Sequence, residues 1–121
     1  MPKKILVVDD DPVSAHLIAS TLKSQGFEVA SASDGLDALV KIKQESPDLI
    51  VLDVVMPEIN GYDVCYQLRF NKEFEKIPII LLTERDQELH ENIGRSVNIA
   101  YAPKPVDIQH FLAQVHNLLS K

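Results

Sequence analysis

Asp9 and Asp10 follow the apolar run Ile5–Val8, Asp53 closes Leu49–Leu52, Thr83 closes Ile79–Leu82, and Lys104 follows Asn98–Ala102. If the first two runs are neighbouring strands, three carboxylates converge on one edge. Like charges at that range are costly unless a cation joins them. Oxygen ligands suit a hard ion, and magnesium ordinarily takes one or two carboxylates together with waters and a phosphate oxygen. Lys104 and a divalent ion would balance the three acids, and Thr83 adds a hydroxyl donor. A nucleophile, a metal and donors for phosphoryl oxygens are what phosphoryl transfer to a carboxylate needs. Each residue taken singly has a plainer reading as a turn, a cap or a solvated cation. For Asp11, directly before Pro12, the helix cap is the preferred reading. Cys65 is expected to pack as a small apolar residue. His16, His90, His110 and His116 have no ligand-like spacing and are expected on the surface.

Elements that could hold those residues follow from the hydrophobic pattern. The runs at Ile5–Val8, Leu49–Leu52 and Ile79–Leu82 are continuous and branched, as in strands buried on both faces. Phe27–Ala32 and Asn98–Ala102 are expected as two further strands. Pro12 opens a helix with Val13, Leu17, Ile18, Thr21 and Leu22 on one stripe, stopped near Gly26. Leu36, Leu39, Val40 and Lys43 continue a second helix, which Pro47 ends. Gly61–Phe70 carries Val64, Cys65 and Leu68 at helical spacing. A short helix is expected over Gln87–Gly94. Asp107 caps the clearest helix, with Ile108, Phe111, Leu112, Val115, Leu118 and Leu119 on one face. Strands alternating with helices imply right-handed crossovers, hence a doubly wound α/β domain with a five-stranded parallel sheet and helices on both faces. Ligands of such sheets bind beyond the carboxyl ends of the strands. Those ends hold the residues described above.

Composition limits the alternatives. Lys+Arg number 12 against 18 Asp+Glu, and the net charge of −6 offers no footprint for direct nucleic-acid binding. No apolar run approaches the roughly 20 residues that span a bilayer, so no membrane association is expected. Lys3 and Lys4 precede only four apolar residues before the first acid, which is no signal peptide. A single cysteine provides neither a disulfide framework nor a thiolate metal site. One cytoplasmic domain over residues 1–121 is expected.

The segments ILVVDDDP, LIVLDVVMPEINGYD, PIILLT and the later KP, in that order, resemble the receiver domain of two-component response regulators over essentially the whole chain. The resemblance implies a flavodoxin-like strand order, 2-1-3-4-5. It implies a phosphoacceptor at Asp53, with magnesium as cofactor. Asp10, Asp53 and the Val55 carbonyl would touch the ion, and Asp9 would hold it mainly through water. Thr83 and Lys104 would bind the transferred group, Thr83 and Tyr101 would act as the switch pair, and the Lys104–Pro105 bond would be cis. A histidine kinase or phosphotransfer protein would be the donor. Output would pass to a downstream protein or to a C-terminal effector domain beyond Lys121. The module would not be an enzyme, assisting only its own phosphorylation and dephosphorylation.

The chain departs from the family at Glu84, where a small residue usually follows the threonine, at Val97–Tyr101, and at Pro103 beside the lysine. Glu84 either slows phosphorylation by its charge or turns outward. The alternative function is a receiver-like interaction module working without phosphorylation. A magnesium-dependent phosphohydrolase lacks a second acid or base and a substrate cleft. A flavin site lacks a phosphate-binding loop after the first strand.

Overall fold

Valine, isoleucine and leucine fill the central strands because both faces of the sheet are covered, leaving no polar side to alternate with. The computed structural model describes residues 2–56, 59–83 and 98–120. It contains β1 (Lys4–Val8), α1 (Pro12–Ser24), β2 (Glu28–Ala32), α2 (Gly35–Glu45), β3 (Leu49–Asp53), α3 (Gly61–Arg69), β4 (Ile79–Thr83), β5 (Ile99–Pro103) and α4 (Ile108–Leu119). Every described strand pairing is parallel, in the order β2-β1-β3-β4-β5. All five residues of β3 and of β4 are buried. Glu84 and the helix expected at Gln87–Gly94 lie outside the described residues.

Alternation along the strands divides the core in two. Ile5, Val7, Leu49, Val51, Ile80 and Leu82 face α1 and α4, meeting Ile18, Leu22, Phe111 and Val115. Leu6, Val8, Ile50, Leu52 and Leu81 face α2 and α3, meeting Ala38, Ile42, Val64, Cys65 and Leu68. Cys65 is fully buried, and His16, His110 and His116 are exposed, as expected. Asp11 caps α1 by accepting from the Val13 N–H at 3.1 Å, with Pro12 in the first turn. Asp107 caps α4 by accepting from the His110 N–H at 3.2 Å. Asn60 and Asp63 form a reciprocal capping box at the start of α3.

On two helices apolar residues stand outside the buried face. On α1 the buried residues are Ile18, Ala19 and Leu22, while Val13 and Leu17 are 77% and 56% exposed. On α2 they are Gly35, Ala38 and Ile42, while Leu36 and Val40 are 49% and 52% exposed. Each helix has two apolar stripes one residue apart, and spacing alone does not select the one that meets the sheet. Element boundaries also move. Phe27 precedes β2, Phe70 caps α3 from outside and is 87% exposed, and β5 runs one residue later than expected. Asn98 sits at φ 68 just before β5, a left-handed conformation that asparagine tolerates.

The shift places Pro103 inside β5, opposite Thr83. The Asn98 carbonyl and the Lys104 N–H both bond to β4, so Ile99, Tyr101 and Pro103 direct their backbone groups to the open side of this edge strand. A proline there costs no ladder bond, which accounts for its unusual position beside the lysine.

Candidate functional site

Register builds the site. Val8 pairs with Leu52, so the next residues, Asp9 and Asp53, emerge side by side from the two central strands. Both are only 3% exposed, while Asp10 is exposed. Ligand atoms of Asp9, Asp10 and Asp53 all lie within 4.8 Å of one another. β5 delivers Lys104 to the same edge, with its N–H on the Thr83 carbonyl at 2.7 Å. Its ammonium donates to Asp53 Oδ2 at 3.2 Å and lies 3.6 Å from Asp9 Oδ2. The peptide bond between Lys104 and Pro105 is cis. Asp9 Oδ1 accepts from the Asp11 N–H at 3.0 Å, and Asp53 Oδ1 accepts from the Val55 N–H at 3.3 Å.

Burial, reinforced by the charge on Asp9, pushes the Asp53 carboxyl from 3.8 up to about 6, against the pull of Lys104. One lysine therefore does not offset the acids. Asp9 Oδ2 is buried and has no hydrogen-bond partner among the described residues. A buried carboxylate oxygen with no hydrogen bond and only a 3.6 Å ion pair, hard oxygen donors on three side chains and a deficit of positive charge fit a magnesium ion.

Thr83 is buried at the end of β4 and shares the α2 and α3 side of the sheet with Leu81 and Tyr101. Tyr101 packs against that core near Tyr62, Cys65 and Tyr66, and burial first, then these neighbours, push its hydroxyl up to about 12. The structure thus brings Asp9, Asp10, Asp53 and Lys104 together. Val55 adjoins them through its backbone, and Thr83 stands at the neighbouring strand end. Tyr101 lies further down the opposite face, away from the acids.

Gly61 belongs to the site although its side-chain-free position suggested no chemistry. Its N–H donates to the Val54 carbonyl at 2.8 Å, and a Cβ there would run into the Asp53 carbonyl and come 2.8 Å from the Val54 Cα. The sequence signal is a glycine in the first turn of a helix, where it weakens the helix.

A parallel sheet with an acid cluster and a lysine at its carboxyl edge defines the receiver class. The family model of the response regulator receiver domain matches residues 5–116, and the chain belongs to that family. It is 41% identical, over its full length, to the alkaline phosphatase synthesis transcriptional regulatory protein PhoP of Bacillus subtilis, of which it spans 50%. It is 34% identical to Protein PilH of Pseudomonas aeruginosa, over 97% of this chain and 98% of that one. The receiver domain of the Pseudomonas aeruginosa sensor histidine kinase PA1611, solved with a magnesium ion coordinated in its active-site cleft, superposes with a TM-score of 0.88 at 26% identity, covering all of both chains. The molecule is a receiver domain of the two-component response regulators, a signalling protein. No helix among the described residues is long and apolar enough to cross a membrane.

Proposed function

We propose that this chain, as one receiver domain over residues 1–121, accepts a phosphoryl group on Asp53 from a histidine kinase or phosphotransfer protein. The observation that carries this is the buried Asp53 carboxylate, 3.2 Å from the Lys104 ammonium and within 4.8 Å of the ligand atoms of Asp9 and Asp10. A carboxylate oxygen of Asp53 attacks phosphorus, the bond from phosphorus to the donor nitrogen breaks, and the imidazole leaves with its electron pair. The Val55 N–H holds Oδ1 and fixes the carboxylate's rotation for that attack. Lys104 exchanges its carboxylate partner for a phosphoryl oxygen, and Thr83 donates its hydroxyl to another. Asp9, Asp10, Asp53 and the Val55 carbonyl would hold magnesium, as the likeness to the magnesium-bound receiver supports. Bound there, the ion supplies positive charge against the incoming group.

Thr83 and Tyr101 form the switch pair, and the shift between two states alters protein contacts. Likeness to longer regulators such as PhoP supports output through a downstream protein or an effector domain, and the place of action in this reading is the cytoplasm. The chain catalyses nothing beyond gain and loss of its own phosphoryl group. Incubation with acetyl phosphate and magnesium is expected to add one acid-labile phosphate per chain, and Asp53→Asn to abolish it. Undiminished labelling of the Asn variant would overturn the assignment. A module indifferent to phosphorylation would have no use for two buried carboxylates sharing one lysine.

A further inference from the structure

β5 is the outer strand of the sheet, and the backbone groups of Tyr101 point to its open side. The Tyr101 carbonyl is nevertheless satisfied, because the Gln114 side chain on α4 donates to it from Nε2 at 2.8 Å. α4 covers one face of the sheet, while the Tyr101 ring packs on the other. The amide of Gln114 therefore reaches round the edge. It grips the backbone of a residue whose ring lies on the far side, near Tyr62, Cys65 and Tyr66.

Among the described residues, two polar atoms at this junction are buried without a hydrogen-bond partner, the Tyr101 hydroxyl and Gln114 Oε1. A buried polar group left unpaired favours any rearrangement that pairs it. The hydroxyl gains a partner when the ring turns out to water, and the amide gains one when the edge opens. Each end of the link thus carries an unpaired atom that a rearrangement could satisfy, and one hydrogen bond joins them.

We propose that Gln114 is a positioning residue of the switch: its bond to the Tyr101 carbonyl ties the strand carrying the switch ring to α4, so that rearrangement of Tyr101 displaces α4. The proposal rests on the reading of Tyr101 as the switch aromatic, and it extends that reading to a named route into the C-terminal helix. Such coupling needs an element with two arrangements that both sites bias, and the Tyr101–Gln114 junction supplies one.

Backbone and side-chain NMR of the whole chain, before and after treatment with acetyl phosphate and magnesium, reads the Tyr101 ring and the amides of Ile108–Leu119 separately. In the wild type both respond. Gln114→Met keeps the length and removes the donor. The ring response persists and the α4 response falls about fivefold, the factor that one net hydrogen bond represents. Gln114→Lys returns a donor at similar reach and restores the α4 response, which a merely structural role would not do. Should the Met variant fail to fold, Gln114→Glu, which replaces the donor by an acceptor, shows the same loss. An α4 response as large in Met as in wild type overturns the coupling and leaves Tyr101 as the switch. A wild-type ring that ignores phosphorylation overturns the switch reading, and the coupling with it.

Discussion

Val55 sits two residues beyond Asp53, the proposed phosphoacceptor, and is 54% exposed at the rim of the site. An apolar branched side chain there cannot orient a water for attack on the aspartyl phosphate. In Val55→Asn a single hydrogen bond to that water, worth ~1 kcal/mol, should shorten the phosphoryl half-life about fivefold. A half-life equal to the wild type, followed by loss of acid-labile phosphate, would count against this role. Cys65 is the opposite kind of residue, fully buried in the α2 and α3 core, where burial pushes its thiol up to about 11. At pH 8 roughly one thiol in a thousand is then the reactive thiolate, against about one in four for a free cysteine. Iodoacetamide should therefore label the native chain at least a hundredfold more slowly than the denatured chain, and mass spectrometry of timed samples checks it.

Elements place the site by their ends, and one glycine shows how tightly. The start of α3 presses on the end of β3, because Gly61 lies against the Asp53 carbonyl. Gly61→Ala must displace the Asp53 backbone or shift the helix. Both outcomes lower the melting temperature and cut phosphorylation by acetyl phosphate. Gly26, at φ 91, has open space around it, so Gly26→Ala should cost ~1 kcal/mol through backbone strain alone. Its phosphorylation rate should equal the wild type. Equal loss of phosphorylation in the two variants would show a global rather than a local effect. The blunted edge of β5 works at the same scale. Pro103 lacks a donor and Gln114 occupies an acceptor, so the outer strand offers little to a second strand.

Across the whole molecule, function is held at the expense of stability. The folded state raises the Asp53 pKa from 3.8 to about 6. Folded chains thus hold that proton more tightly than unfolded ones. Stability from this group is present at low pH and is lost as pH rises from about 4 to about 6. In metal-free buffer at pH 7.5, Asp53→Asn removes a buried, repelled charge and should raise the melting temperature by a few degrees. Magnesium stabilises whichever state binds it, so it should raise the wild-type midpoint more than that of the Asn variant. A wild type more stable than the variant without metal would contradict this account of the site's electrostatics.

The strands and their strand-end acids were readable from the sequence because each is a local signal: a continuous apolar run, then a carboxylate. Caps at Asp11 and Asp107 were readable for the same reason. From the residues alone, convergence of Asp9, Asp10 and Asp53 required the condition that β1 and β3 be neighbours, and only the sheet register met it. The exposure of Val13, Leu17, Leu36 and Val40 was not legible because burial is a property of two packed surfaces, and a helix with two apolar stripes does not state which one its sheet will cover. Pro103 became intelligible only once β5 was an edge strand with that residue facing outward. Gln114 was silent in the sequence and Gly61 was marked only by its odd place in a helix, since a bond round a sheet edge and a missing Cβ against a carbonyl are contacts that only the packed fold creates. Local chemistry follows from residue order, whereas neighbours across the fold are decided by packing.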